Sequence, residues 1–193
     1  MKIHTIPNGL DVQQFEFTAK EYRCNLAFMG GLNHKKGIML LIHAFWYLLR
    51  HSGLLPASCT LYIGGMVNDK RFKLYVDAII EQLNISDLIK FDGLIKDKNK
   101  WFADKHYILC TSPWESQNMS VMEGMACGLK PVIHYFPGCE KIYKPEWVWR
   151  NIDQFVDVIT GPYNPTEYRE YVESRYSLPE QVDKHQEIID ANQ

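Results

Sequence analysis

An α/β fold, with a parallel sheet sandwiched between two layers of helices, is the class this sequence predicts. Three observations carry it: short apolar runs alternate with helical stripes, each run empties into a glycine or polar turn, and the connections are short. In such sheets ligands sit at the carboxyl ends of the strands, so the turns after each strand are the places to search for chemistry.

The chain begins with a lead-in, residues 1–24, in which Pro7-Asn8-Gly9 is a turn signal and Phe15 and Phe17 are apolar anchors. Asn25 to Met29 then reads as a strand ending in Gly30-Gly31-Leu32-Asn33-His34-Lys35-Lys36-Gly37, and Ile38, Leu41, Ile42, Phe45, Leu48 and Leu49 mark the core-facing stripe of a helix. A second unit repeats the design, with Thr60 to Ile63 as strand, Gly64-Gly65 as turn, Asp69 as N-cap, and Phe72, Tyr75, Val76, Ile79, Ile80 and Leu83 as the stripe. Ile89 to Leu94 is a third strand, followed by a short helix whose Trp101 and Phe102 read as core residues; His106 reads as structural.

Tyr107 to Cys110 is an apolar run bounded by Thr111, Ser112 and Pro113, a buried strand. A helical pattern follows from Asn118 to Cys127, with Gly128 at its C-terminal cap, and Pro131 to Tyr135 forms the next strand. Glu146 to Trp149 reads as a short last strand. Ile152 to Ile159, Tyr168 to Tyr176 and Leu178 to Ile189 read as closing helices, the last with Pro179 in its first turn. The predicted organisation is one domain over 1–193, with an α/β core at 25–150 and C-terminal helices at 151–193.

Composition narrows the function classes. With 193 residues, 46% hydrophobic and 23% charged, the chain is globular material for one core. A net charge of −2 and the lack of a basic stripe interleaved with aromatics argue against nucleic-acid binding. No apolar run approaches the roughly 20 residues needed to span a bilayer, so no direct membrane insertion by this chain is expected. The five cysteines, Cys24, Cys59, Cys110, Cys127 and Cys139, lack metal-ligand spacing and read as reduced core thiols of a cytoplasmic protein.

The informative stretch runs from Tyr107 to Ile133. Glu115 precedes the helix and Glu123 lies inside it, separated by seven residues. On one continuous helix they would stand about 12 Å apart along the axis, at ~1.5 Å per residue, so separate hydrogen-bonding tasks are expected rather than a shared proton. Between them the free N–H groups around Asn118, Met119 and Ser120 would attract an anion, most naturally a phosphate. In the first turn, Gly30 and Gly31 let backbone N–H groups approach a phosphate, and a lysine at the helix entrance adds charge. A carboxylate pair beside an anion site suggests a ligand with hydroxyls at its ends and phosphates in its middle, a sugar nucleotide.

Glu115, seven residues, Glu123, then G-M-A-C-G-L-K-P-V-I resembles the E-x7-E segment of retaining family-4 glycosyltransferases of the GT-B architecture. The resemblance extends from Ile6 to about Gln186. The lead-in is similar to the hinge at which that family's second domain begins, which implies a donor-binding, Rossmann-like half whose N-terminal acceptor domain is absent from this chain. It further implies that Lys36 and an arginine hold the donor diphosphate, that Glu115 orients the donor sugar and that Glu123 holds the ribose, with no cofactor and no obligatory metal. Gly31 occupies the arginine position, with His34 or Lys35 as natural substitutes. Ile89 to Leu94 resembles the strand whose following loop lies by the nucleobase, near Leu94 and Ile95. Phe136 to Glu140 is similar to the family's G-G-x-x-E loop over the diphosphate and sugar, of which Gly138 and Glu140 carry over. The implied partners are a nucleotide-sugar and the missing N-terminal domain.

Overall fold

The computed structural model describes residues 5–21, 23–54, 58–67 and 69–191. Residues 1–4 and 22 of the predicted lead-in and 192–193 of the predicted C-terminal stretch lie outside them. Six strands, β1 (Cys24–Met29), β2 (Cys59–Gly64), β3 (Ile89–Gly93), β4 (Tyr107–Cys110), β5 (Lys130–His134) and β6 (Val148–Trp149), pair in parallel in the order β3-β2-β1-β4-β5-β6. The strand order therefore reverses between β1 and β4, and the crevice outside their carboxyl ends is the topological switch point where α/β sheets take ligands.

Seven α-helices lie among the described residues: α1 (Ile38–His51), α2 (Lys70–Gln82), α3 (Lys98–Phe102), α4 (Met119–Ala126), α5 (Ile152–Thr160), α6 (Pro165–Arg175) and α7 (Leu178–Asp190). Alternation along the central strands divides the core in two. Leu26, Phe28, Tyr107 and Leu109 face a cluster with Ile42 and Phe45 of α1, Phe72 and Val76 of α2 and Phe155 of α5. Ala27, Ile108 and Cys110 face the opposite cluster, with Val121, Met122 and Met125 of α4 and Tyr168 and Val172 of α6. Helix starts follow their side-chain caps: Asp69 accepts from the Arg71 and Phe72 amides, Asn118 from Val121, Asn151 from Gln154 and Ser177 from Glu180.

The lead-in returns to the C-terminal helices. Leu10 N–H donates to the Tyr176 carbonyl at 2.6 Å, and Leu178 N–H donates to the Leu10 carbonyl at 3.1 Å. Gly9 N–H reaches Gln181 Oε1 at 2.7 Å, and a Cβ at position 9 would stand 2.6 Å from Leu178 Cα.

Three expectations are corrected. Cys24 and Cys59 are joined as a disulfide, because the β1–β2 register sets them opposite one another at the strand starts; only Cys110, Cys127 and Cys139 are free thiols, all buried. The thiol argument for a cytoplasmic protein therefore falls. The strand expected over Glu146 to Trp149 is confined to Val148–Trp149, since Pro145–Trp147 forms a 3-10 turn. Helix α6 starts at Pro165, three residues before Tyr168, because Asn164 caps the Glu167 amide and proline suits the first turn.

Candidate functional site

The carboxyl ends of β1, β2 and β3 and their turns are hydrogen-bonded edge to edge. Gly30 N–H donates to the Gly64 carbonyl at 2.9 Å, Gly65 N–H to Gly93 at 2.7 Å, and Leu32 N–H to Met66 at 2.9 Å. At two places the approach excludes any side chain. Gly65 has φ +138°, and a Cβ there would meet the Gly30 oxygen at 1.9 Å; Gly37 has φ +66°, and a Cβ there would meet the Thr111 oxygen at 2.0 Å.

This packing fixes Lys36. Its N–H donates to Asn33 Oδ1 at 3.2 Å, and its carbonyl accepts from Thr111 Oγ1 at 2.9 Å, so the turn after β1 is clamped to the end of β4. Its ammonium stands 2.7 Å from Glu115 Oε2, with side-chain exposures of 32% and 15%. Asn118 completes the group: Oδ1 caps the Val121 amide at 3.3 Å, while Nδ2 lies 3.4 Å from Glu115 Oε2 and 3.3 Å from Cys110 Sγ. The Val121 and Met122 amides turn back to the Asn118 carbonyl, which leaves Met119 and Ser120 to head the helix. A cation, a carboxylate and a helix N-terminus thus meet at the switch point.

Glu123 lies one turn further along α4 and does not join Glu115. Its Oε1 accepts from Lys98 Nζ of α3 at 2.7 Å, and its side chain is 12% exposed. Its Oε2 is buried and has no hydrogen-bond partner among the described residues. Lys98 and Glu123 line a cavity of about 480 Å³, together with Lys96 and, from the lead-in, Asp11, Gln14 and Phe15. Lys98 escaped the sequence reading because the run Lys96 to Lys100 alternates charge without a period that singles out one lysine.

The remaining predicted positions sit around this group. Gly31 follows the end of β1, and a Cβ there would meet only Asn33 Nδ2, at 3.3 Å. His34 and Lys35 are both exposed, the His34 ring centroid lying 4.2 Å from that of Phe72 of α2. Leu94 is 64% exposed after β3, and Ile95 packs on Gly64. Gly138 has φ +92° in open space, and Glu140 is exposed on the turn Cys139–Lys141. Gly138 borders a second cavity of about 610 Å³ between the lead-in, Ser116 and Gln117, and α6–α7. Trp101 is half-buried, its Nε1 donating to Asp92 Oδ2 at 2.7 Å, and Phe102 is core, as expected. His106 is buried at the sheet's opposite end; burial first, then the charges of Lys20 and Arg23, lower its pKa to about 4. Among the described residues no group of three or more His, Cys, Asp or Glu is arranged to hold a metal.

A sequence profile described as glycosyl transferases group 1 matches residues 23–176, four fifths of the chain and every element that builds the site. The chain belongs to the glycosyl transferases group 1 family. No curated protein sequence matches it. Among solved structures, this family member is similar in fold to HepE of Anabaena in complex with UDP, with TM-score 0.82 and 15% identity over 96% of this chain and 57% of that one. TarM has TM-score 0.76 and 20% identity over 95% of this chain and 38% of that one. The C-terminal domain of the group 1 glycosyl transferase LpcC from Francisella tularensis gives TM-score 0.72 and 18% identity, over 88% of this chain and 100% of that domain. This group 1 chain thus spans 38% to 57% of TarM and HepE. No helix among the described residues is long and apolar enough to cross a membrane.

Proposed function

We propose that this chain is the donor-binding, C-terminal half of a retaining GT-B glycosyltransferase, transferring a sugar from a nucleoside diphosphate to an acceptor hydroxyl. The observation that carries the reading is the Lys36–Glu115 contact at the switch point, which sets a cation for phosphate beside a carboxylate for sugar hydroxyls. Full coverage of an isolated C-terminal glycosyl transferase domain supports the assignment to that half, and the UDP complex of HepE supports a nucleotide-sugar ligand.

In this reading Lys36, with Lys35 in reach, and the amides of Met119 and Ser120 take the diphosphate charge without an obligatory metal. Glu115 orients the donor sugar, Glu123 receives ribose hydroxyls, the backbone near Leu94 and Ile95 lies by the base, and Gly138 and Glu140 flank the sugar. The anomeric C–O bond to the phosphate breaks, the acceptor oxygen bonds to the same face of that carbon, and its proton passes to a leaving phosphate oxygen. Acceptor groups come from the other half, so the isolated chain binds nucleotide and transfers little sugar.

Calorimetric titration with UDP, GDP, ADP and their sugar conjugates tests this, in parallel with Lys36→Ala and Glu123→Ala. One nucleotide binding, weakened by both substitutions, is the expected result; no binding at millimolar concentration would overturn it. Gly31 at the arginine position favours one second reading, a non-catalytic sugar-nucleotide or protein-binding module. Such a module keeps its cellular role when Glu115→Gln is placed in the full-length protein, whereas an enzyme loses turnover.

A further inference from the structure

The cavity of about 610 Å³ beside Gly138 has walls that hydrogen bonds hold in place, and its volume is that of a small-molecule site. Gln117 ties the lead-in to the Glu115 turn: Asn8 N–H donates to Gln117 Oε1 at 2.8 Å, and Gln117 Nε2 donates to the Asn8 carbonyl at 2.9 Å. On the other side the Ile142 carbonyl accepts from Tyr171 Oη at 2.8 Å and from Tyr176 Oη at 3.1 Å. That double bond ties the turn Cys139–Lys141 to the end of α6, and so brings Lys141 and Arg175 to one cavity.

Charge in the lining is one-sided. Three cations, Lys141, Arg175 and Lys184, stand against one carboxylate, Glu180, and Lys184 already holds Glu180 at 2.6 Å. Lys141 and Arg175 have no carboxylate partner among the described residues. In a chain of net charge −2, two uncommitted cations on one cavity set up a local field that favours an anion.

We infer that this cavity binds an acceptor through a phosphate monoester group. An ammonium and a guanidinium together match the dianion, and the guanidinium fork suits its oxygens, whereas a carboxylate would leave one cation unanswered. The cavity is bounded by Ser116, next to Glu115, and by Gly138, which the donor-site reading above sets at the transferred sugar. The inference rests on that reading and adds to it the chemical class of the acceptor. This half then contributes one anchor for the acceptor's charged end, beside the groups that the other half supplies.

The test titrates glycerol 3-phosphate, glycerate, glycerol and inorganic phosphate into the wild-type chain, the double variant Lys141→Met with Arg175→Met, and Lys36→Ala, following backbone amide shifts by NMR. UDP, GDP and ADP are titrated into the same three chains. Glycerol 3-phosphate is expected to shift the amides of Gln117, Lys141 and Arg175 with equal affinity in wild type and Lys36→Ala, and to bind the double variant at least about tenfold more weakly. Glycerate and inorganic phosphate bind the wild type more weakly than the ester, and glycerol does not bind. The double variant keeps wild-type thermal melting and nucleotide affinity, so its loss is not a loss of folding. Ester binding that shifts Met119 and Ser120 instead, and disappears in Lys36→Ala, overturns the inference, since the diphosphate clamp is then the anion site. Glycerate or inorganic phosphate binding as tightly as the ester overturns it too, the first by removing the phosphate preference and the second by making the ligand free phosphate. A chain that binds a nucleotide and no ester sinks this inference alone. One that binds the ester and no nucleotide sinks the donor-site reading, and the acceptor assignment with it.

Discussion

Lys36 Nζ stands 2.7 Å from Glu115 Oε2, a contact between two turns 79 residues apart in sequence. Each group neutralises the other at the switch point of the sheet. On the donor-site reading proposed above, a diphosphate would compete with Glu115 for the ammonium, and a sugar would compete with Lys36 for the carboxylate. Glu115→Gln therefore separates the two tasks. We expect the isolated variant to bind bare nucleoside diphosphate at least as tightly as wild type, and to lose its preference for the sugar conjugate. In the full-length protein we expect turnover to fall on the order of 10²-fold, the usual cost of one polar group aimed at developing charge. Parallel calorimetry and rate measurements decide it, and a variant with wild-type turnover removes Glu115 from the machinery.

Gly31→Arg restores the arginine that the family resemblance places there. Position 31 has ordinary backbone geometry, and the new Cβ meets only an amide nitrogen of Asn33 at 3.3 Å, so that side chain gives by a few tenths of an ångström while its Oδ1 keeps the Lys36 amide. The variant folds with wild-type melting behaviour and binds its nucleotide about tenfold more tightly, the scale of one charge-assisted bond. Unchanged affinity in a folded variant would show that the arginine's place in the phosphate clamp is not available here.

Gly37→Ala and Gly138→Ala share a left-handed backbone and differ in space. At Gly138 no atom lies within 4 Å of the added methyl, so only backbone strain counts, about 1–2 kcal/mol. At Gly37 the methyl meets the Thr111 carbonyl oxygen at 2.0 Å, and the β1 and β4 turns must part. We expect a loss of more than about 3 kcal/mol there, together with nucleotide binding. Urea unfolding of both variants measures the contrast; equal losses would refute it.

His106 makes stability depend on acidity. Burial, with Lys20 and Arg23 nearby, moves its pKa from the ordinary 6.5 down to about 4. Between those values the unfolded chain binds the extra proton and the folded chain does not, so this contribution is intact above pH 6.5 and is lost as pH falls toward 4. His106→Gln has no imidazole to protonate. Its urea midpoint therefore declines less steeply than wild type across that window, and parallel declines would exclude His106 as a source.

The sheet and its order of elements were legible in the chain itself. Apolar runs such as Tyr107 to Cys110 are too short for helices and are bounded by turn residues, and stripes such as Ile38 to Leu49 carry the helical period, so local physics decides both. The cap at Asp69 followed from a short polar side chain at a helix start; the helix rise does not span Glu115 and Glu123, because Glu115 precedes α4 and each carboxylate has its own lysine. Which partner each charged group chose was not legible. Lys36 with Glu115, Lys98 with Glu123 and Cys24 with Cys59 are set by strand order and register, which bring together residues whose spacing along the chain carries no signal. The His34 ring meets Phe72 for the same reason, since α2 reaches that turn only once β2 has paired beside β1. Periodicity and turn chemistry act over a few residues and so are written locally; pairing across the switch point is a property of the packed sheet, and only the tertiary structure decides it.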